Sequence, residues 1–254
     1  MIRIGPLERV RDRPDTPAEL AGSQLPTLVV RSTDHPGLLW SLRLTEFFGD
    51  ANGGFGYQPN AEWIDDGNGG LSYRDSPVSA VDGHAGTCSC AVSVGAESVR
   101  FELAVTNLSA EVWQDCWAWL CLIHRWAQAF QANCELPAGP PNSPWTPVNT
   151  LPAPLERWLK WCPVAAHEET ASRIGTGSQR WQPHIRATAG AVRAWRIDGN
   201  EQQIIQLSSP AAVLLGWSHW PCTDMGLCFG DLAAGETGRV AGELRLVTSS
   251  FEPI

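Results

Sequence analysis

The sequence predicts an all-β protein, a large two-sheet antiparallel β-sandwich with one or two short helices. Three observations carry that prediction. Two consecutive segments, 87–94 and 99–105, alternate apolar and polar residues with a period of two. That pattern marks strands with one face in a core and the other in water. Strand-like runs return across the C-terminal third, separated by turn residues. Strands of one type flank the proline-rich stretch on both sides, and no internal repeat is visible. Residues 1–254 therefore read as a single β-sandwich domain.

Composition narrows the partners. A chain of 254 residues buries roughly three quarters of the surface its unfolded form exposes, enough for a full core. The net charge of −9 argues against a nucleic-acid partner, which needs a basic face. The start, MIRIGPLERV, has no apolar signal core. The longest apolar candidate, Ala118–Ile123, is far shorter than a membrane span. A soluble, cytoplasmic protein with no membrane partner is expected. The chain is tryptophan-rich, with 13 Trp against 2 Tyr, and Lys160 is its single lysine.

Taken in order, Thr16-Pro17-Ala18-Glu19 is a helix-start signal, with Thr as cap, Pro at the first position and Glu at the third. Strands are expected at 25–31 and 38–45. Residues 46–75 are acidic and rich in Gly and Asn, and read as a long loop or a pair of hairpins. Within them Asp65–Gly70 is a glycine-rich turn, since no glutamate closes a twelve-residue calcium loop. Residues 95–98 join the two alternating strands as a hairpin. Residues 111–130 fit a helix or a strand; aromatic enrichment favours a strand to about Ile123, then a turn or short helix to Phe130. Residues 134–155 are irregular loop, followed by a short helix at 155–161. The stretch 157–196 is basic and reads as a solvated face. Further strands are expected at 191–197, 203–207, 212–216, 227–231 and 240–247, with Pro221–Asp224 as a corner.

The eight cysteines lack a CxxC pair and read as buried free thiols. The six histidines show no pair at metal-ligand spacing. Neither a metal site nor a cofactor is expected. Nucleotide, nucleophile-elbow and zinc-protease motifs are absent. Chemistry concentrates in two segments, Trp117–Trp126 and Gly216–Asp224, each with a histidine among tryptophans at a strand end. His124, His219 and Asp224 are the candidate catalytic groups. Trp217, Trp220 and Arg125 are the candidate ligand-binding groups. A flat indole face matches the C–H face of a pyranose, while carboxylates and imidazoles bond its hydroxyls. A carbohydrate ligand is therefore expected, with acid–base chemistry if the protein is catalytic. The alternative is a non-catalytic structural or interaction domain, with the tryptophans as core.

The tail, Gly230–Thr237 followed by Val240–Val247, resembles the closing turn and final strand of galactose-mutarotase-like supersandwich proteins. The string Phe101–Ser109 similarly resembles their central strand and Thr-Asn turn. The resemblance implies a supersandwich with an open, sugar-sized groove. It also implies a glutamate base, with histidines as acid, in the stretch that here reads Leu214–Asp224. That stretch contains no glutamate. The resemblance then leaves His219 or Asp224 in the base's place, or a groove that only binds.

Overall fold

The computed structural model describes residues 2–6, 26–35, 37–51, 53–57, 61–80, 83–131, 134–137, 144–147, 159–163, 188–198, 200–217 and 222–250. The N-terminal half holds β1 (Ile2–Pro6), β2 (Thr27–Ser32), β3 (Leu39–Asp50), β4 (Gly53–Tyr57), β5 (Ile64–Asp65), β6 (Leu71–Ala80), β7 (Gly86–Val94), β8 (Ser98–Asn107) and β9 (Trp113–Ile123). The single helix among the described residues, α1, spans Gln128–Gln131. The C-terminal half holds β10 (Cys134–Pro137), β11 (Trp145–Pro147), β12 (Leu159–Pro163), β13 (Thr188–Asp198), β14 (Glu201–Trp217), β15 (Cys222–Leu232) and β16 (Thr237–Ser250). No helix among the described residues is long and apolar enough to cross a membrane.

Every described strand pairing is antiparallel. The pairings close a circuit, β3-β4-β6-β7-β8-β16-β14-β15-β9 and back to β3. Two strands serve two layers each. The first half of β14, Glu201–Ser208, pairs with β16, while Ala211–Gly216 pairs with β15. The ladder with β15 shifts register between Ala211 and Val213, directly after Pro210, which has no N–H to give a ladder. Strand β3 likewise pairs with β9 from Ser41, and with β4 from Phe47. The outcome is one large curled antiparallel sheet folded into two layers, as the alternation predicts.

The core lies between the layers. Strands β7 and β8 turn Cys88, Cys90, Val92, Val99, Phe101, Leu103 and Val105 inward. They meet Trp40, Leu42, Leu44, Leu120, Leu122, Met225 and Leu227 from β3, β9 and β15. Removing such side chains from water is the dominant stabilising term, about 1.5–3 kcal/mol for each large one. Strand β9 does not alternate evenly. Asp115 sits at φ 51°, and the ladder with β15 shifts at Gly230. This bulge inserts a residue and reverses the parity. Trp113 points into the core, and so do Cys116, Ala118, Leu120 and Leu122. Trp117, Trp119, Cys121 and Ile123 are thereby sent to the opposite face.

Several expectations are corrected. Residues 46–75 are mostly strand, with Glu46–Asp50 continuing β3 and β4 to β6 forming hairpins; the hairpin alternative describes them. Two expected strands are one, β14, because the chain crosses between layers without leaving the ladder. Residues 159–161, expected to close a short helix, begin β12 against β14. The proline-rich stretch carries β10 and β11. Residues 222–224 open β15 rather than forming a corner. The helix start at Thr16 lies outside the described residues.

Turn chemistry follows the residues. Asp65 accepts from the Gly67 N–H at 2.9 Å, and Asp66 accepts from Asn68 and Gly70 N–H at 2.8 Å each. Both carboxylates serve their own turn, which is the glycine-rich reading. Buried Asn107 closes β8: its amide donates to the carbonyls of Glu111 (2.7 Å) and Leu232 (2.9 Å). Its Oδ1 accepts from the Ser109 N–H at 2.9 Å. Described arginines of the basic stretch are paired locally: Arg193 with Glu135 at 2.6 Å, and Arg196 with Asp198 at 3.0 Å.

Candidate functional site

The face of β3, β9 and β15 turned away from the core carries polar groups that are nonetheless buried, Ser41 and Asp224 among them. Cross-strand register lines up Arg43, Cys121 and Asp224 on neighbouring strands. Directly paired residues share a face, as do residues two apart. Ser41, Ile123 and Cys222 therefore join the same surface. Trp126 covers one flank, packing on Val29 and Leu39 and on Cys121, Ile123 and Cys222.

A bulge adds the group that the ladder would otherwise exclude. Leu44 pairs with Leu120 and Phe48 with Ala118. Three residues of β3, Thr45 to Phe47, thus stand opposite the single residue Trp119. Glu46 is released from regular pairing and ion-pairs with Arg43. Their side chains keep 24% and 25% of their surface exposed, so the pair reaches water. Half-buried Trp119 stands edge-on to buried Trp117, centroids 5.9 Å apart at 70°. The Trp117 Nε1–H donates to the Asp50 carbonyl at 3.0 Å, which fixes that ring pair.

The electrostatics are lopsided. Burial raises the Glu46 carboxyl above its usual range, and the charge of Asp224 adds to it; Arg43 opposes both through charge and hydrogen bond. Asp224 is only 8% exposed. Cys121 is pushed well up by donating to Cys222, then by burial and by Asp224. That hydrogen bond pulls Cys222 down, but burial with Asp224 and Glu46 carries it up to about 12. Ligand atoms of Cys121, Cys222 and Asp224 lie within 4.8 Å of one another, the one grouping among the described residues that could hold a metal. Among the described residues, nothing bonds the buried Ser41 Oγ or the Arg43 Nε.

The sequence-predicted residues fall as follows. Asp224 belongs to this face. His124 is fully buried, with Nε2 3.1 Å from Thr223 Oγ1. Burial lowers its pKa to about 3, so the ring is neutral at pH 7. Thr223 pairs with Leu122 and, by strand alternation, faces away from Asp224. His124 therefore sits on the core side, behind Asp224. Arg125 is exposed in the turn after β9. Trp217 ends β14 and pairs with Leu159. His219 and Trp220 lie outside the described residues. Sequence reasoning missed Glu46, Arg43 and Ser41. Their signal was an alternation in Ser41-Leu42-Arg43-Leu44-Thr45, which places polar groups on the non-core face of a central strand.

A separate groove of about 730 Å³ runs over the outer side of the other layer. Arg100, Glu102 and Glu243 line it, and each is tied up in a cross-strand ion pair.

No family model and no curated protein matches the sequence. Among solved structures, the chain is similar to a putative aldose 1-epimerase from Escherichia coli K12, with 13% identity, TM-score 0.43, and 97% of this chain and 99% of that one covered. It is similar to a galactose mutarotase-like protein from Lactobacillus casei, with 12% identity, TM-score 0.45, and 88% and 95% covered. It is also similar to a galactose mutarotase related enzyme from Lactobacillus acidophilus, with 8% identity, TM-score 0.37, and 91% and 97% covered. These likenesses, at 8–13% identity, assign no residue of this chain a role.

Proposed function

We propose that the face built by β3, β9 and β15 binds a carbohydrate and, if catalytic, moves protons on it. One observation carries the reading: the β3 bulge sets Glu46 opposite the half-buried Trp119, ion-paired with Arg43 and within electrostatic reach of Asp224. An aromatic wall with a few converging polar groups is the usual make-up of a small-molecule pocket. The exposed parts of the Arg43 and Glu46 side chains are suited to sugar hydroxyls. Glu46 and Asp224 are two neighbouring carboxyls, and the charge of Asp224 adds to the burial that raises Glu46. Glu46, raised by burial, serves as the acid and Asp224 as the base. On a cyclic aldose, Asp224 takes the proton of the anomeric hydroxyl and Glu46 protonates the ring oxygen as the bond from the anomeric carbon to the ring oxygen breaks and the open-chain aldehyde forms; reclosure on the other face returns both protons. His124 acts on this pair as a positioning residue, holding Thr223 next to Asp224. Trp217 is assigned to the same site because its neighbour Gly216 pairs with Thr223. Trp220 and His219 follow it in sequence, as further wall and second proton carrier, and Arg125 is placed at the rim.

Titration of a panel of mono- and oligosaccharides, read by tryptophan fluorescence, tests binding. A saturable change that is lost in Trp119→Ala and Trp217→Ala is expected. Nuclear magnetic resonance of anomer exchange tests catalysis, with loss in Glu46→Gln and Asp224→Asn. A flat response across the panel, with the variants only less stable, refutes the reading and favours a structural or interaction domain.

A further inference from the structure

We propose that Cys121, Cys222 and Asp224 form a site for a thiophilic divalent cation of the zinc class, with a fourth position open to water. The register builds it. Asp224 stands directly opposite Cys121, and Cys222 lies two residues before Asp224 on the same strand. All three therefore share one face of a rigid antiparallel pair. Their ligand atoms lie within 4.8 Å of one another. A tetrahedral zinc centre with bonds of about 2.3 Å to sulfur and about 2.0 Å to oxygen needs ligands about 3.5–3.8 Å apart. Side-chain rotation about the Cα–Cβ bonds would bring the ligand atoms to that spacing.

The donor set selects the ion. Two sulfurs and one carboxylate suit zinc and its neighbours, whereas calcium and magnesium demand oxygen. The surroundings favour a cation too. Asp224 and Glu46 both act on the two thiols, and the nearby Arg43 is already engaged by Glu46. On binding, each thiol releases its proton to solvent as its sulfur–metal bond forms. The site goes beyond the sugar reading and does not rest on it. The two meet at Asp224, which cannot serve as ligand and as proton acceptor at once, so cation loading suppresses any proton transfer that depends on it.

The test uses the full chain and cobalt(II) alone as probe. One equivalent should bind with thiolate-to-cobalt charge transfer and tetrahedral d–d absorption. Cys121→Ser and Cys222→Ser should each weaken binding by at least about tenfold and remove charge-transfer intensity, while Cys228→Ser leaves both unchanged. Should the serine variants fail to fold, X-ray absorption of the zinc-loaded wild type decides. Two sulfur scatterers at about 2.3 Å support the site, and a shell of oxygen and nitrogen alone overturns it. It is also overturned by absence of cobalt binding, by bands that persist in both variants, or by bands that vanish in Cys228→Ser. Because no sugar is present, a negative result here leaves the carbohydrate reading standing, and a flat sugar titration leaves the cation site standing.

Discussion

Acidification should weaken this fold through His124 in particular. The ring is fully buried, its Nε2 meets Thr223 Oγ1, and burial holds its pKa at about 3 against an ordinary 6.5. The folded pKa is depressed, so the neutral ring favours the native state above pH 6.5. That advantage is lost as pH falls from 6.5 towards 3, because only the unfolded chain takes up the proton. Each pH unit in that window removes about 1.4 kcal/mol. Between pH 7.5 and pH 5 the loss is about 2 kcal/mol, roughly 30-fold in the folding equilibrium. The perturbation that isolates it is His124→Gln, which keeps an amide near Thr223 but cannot titrate. Urea unfolding midpoints of both proteins at several pH values provide the assay. The substitution costs a constant amount, and the difference between the two curves should close by about 2 kcal/mol on going from pH 7.5 to pH 5. Parallel curves would refute the reasoning, as would a His124 imidazole that titrates near pH 6.5 by nuclear magnetic resonance.

Other perturbations have definite signs. Asn107→Ala strips the buried Leu232 carbonyl and the part-buried Glu111 carbonyl of their donor and should cost about 1–3 kcal/mol by chemical denaturation. Gly86→Ala places a Cβ 2.3 Å from Trp113 Cη2 and 2.7 Å from the Thr106 carbonyl; a loss of about 1–3 kcal/mol is expected, and an unchanged midpoint would contradict that crowding. Glu46 has a raised folded pKa, so its contribution is complete below pH 4.5 and declines as pH rises through the folded value. Glu46→Gln should therefore gain stability relative to wild type with rising pH, and a variant that instead loses stability relative to wild type would show that the Arg43 pairing dominates.

Local pattern and long-range pairing divide what the sequence could reveal. Strands β7 and β8 were legible residue by residue, because hairpin neighbours impose a strict alternation. Asp224 was named from its company of Trp and His, yet as a corner; only pairing with Cys121 makes it the buried start of a strand. Glu46 was read as part of an acidic loop. Its role follows from a mismatch between β3 and β9, strands that meet only after the chain has turned many times, and no local window contains that information. The faces of β9 are hidden from a local reading for a related reason. An unbroken alternation would align Trp113 with Trp117 and Trp119, and the bulge at Asp115 separates them. Proline and glycine punctuation misled at β14, where Pro210 marks a crossing between layers and not a break.

The closed circuit has a consequence for how the chain is made. Thr106 of β8 and Thr237 of β16 are hydrogen-bonded neighbours 131 residues apart. At roughly 5–20 residues per second, the ribosome leaves one side of β8 without its partner for roughly 7 to 26 seconds. During that interval the β7–β8 hairpin offers an open row of backbone donors and acceptors to any passing chain. Arg100 and Glu102 alternate along that row, exposed to water, and charged side chains are what deter edge-to-edge association. Once β16 arrives, the same residues take Glu243 and Arg239 as partners. Two ordinary-looking surface ion pairs are then the resting state of charges that guard a nascent edge.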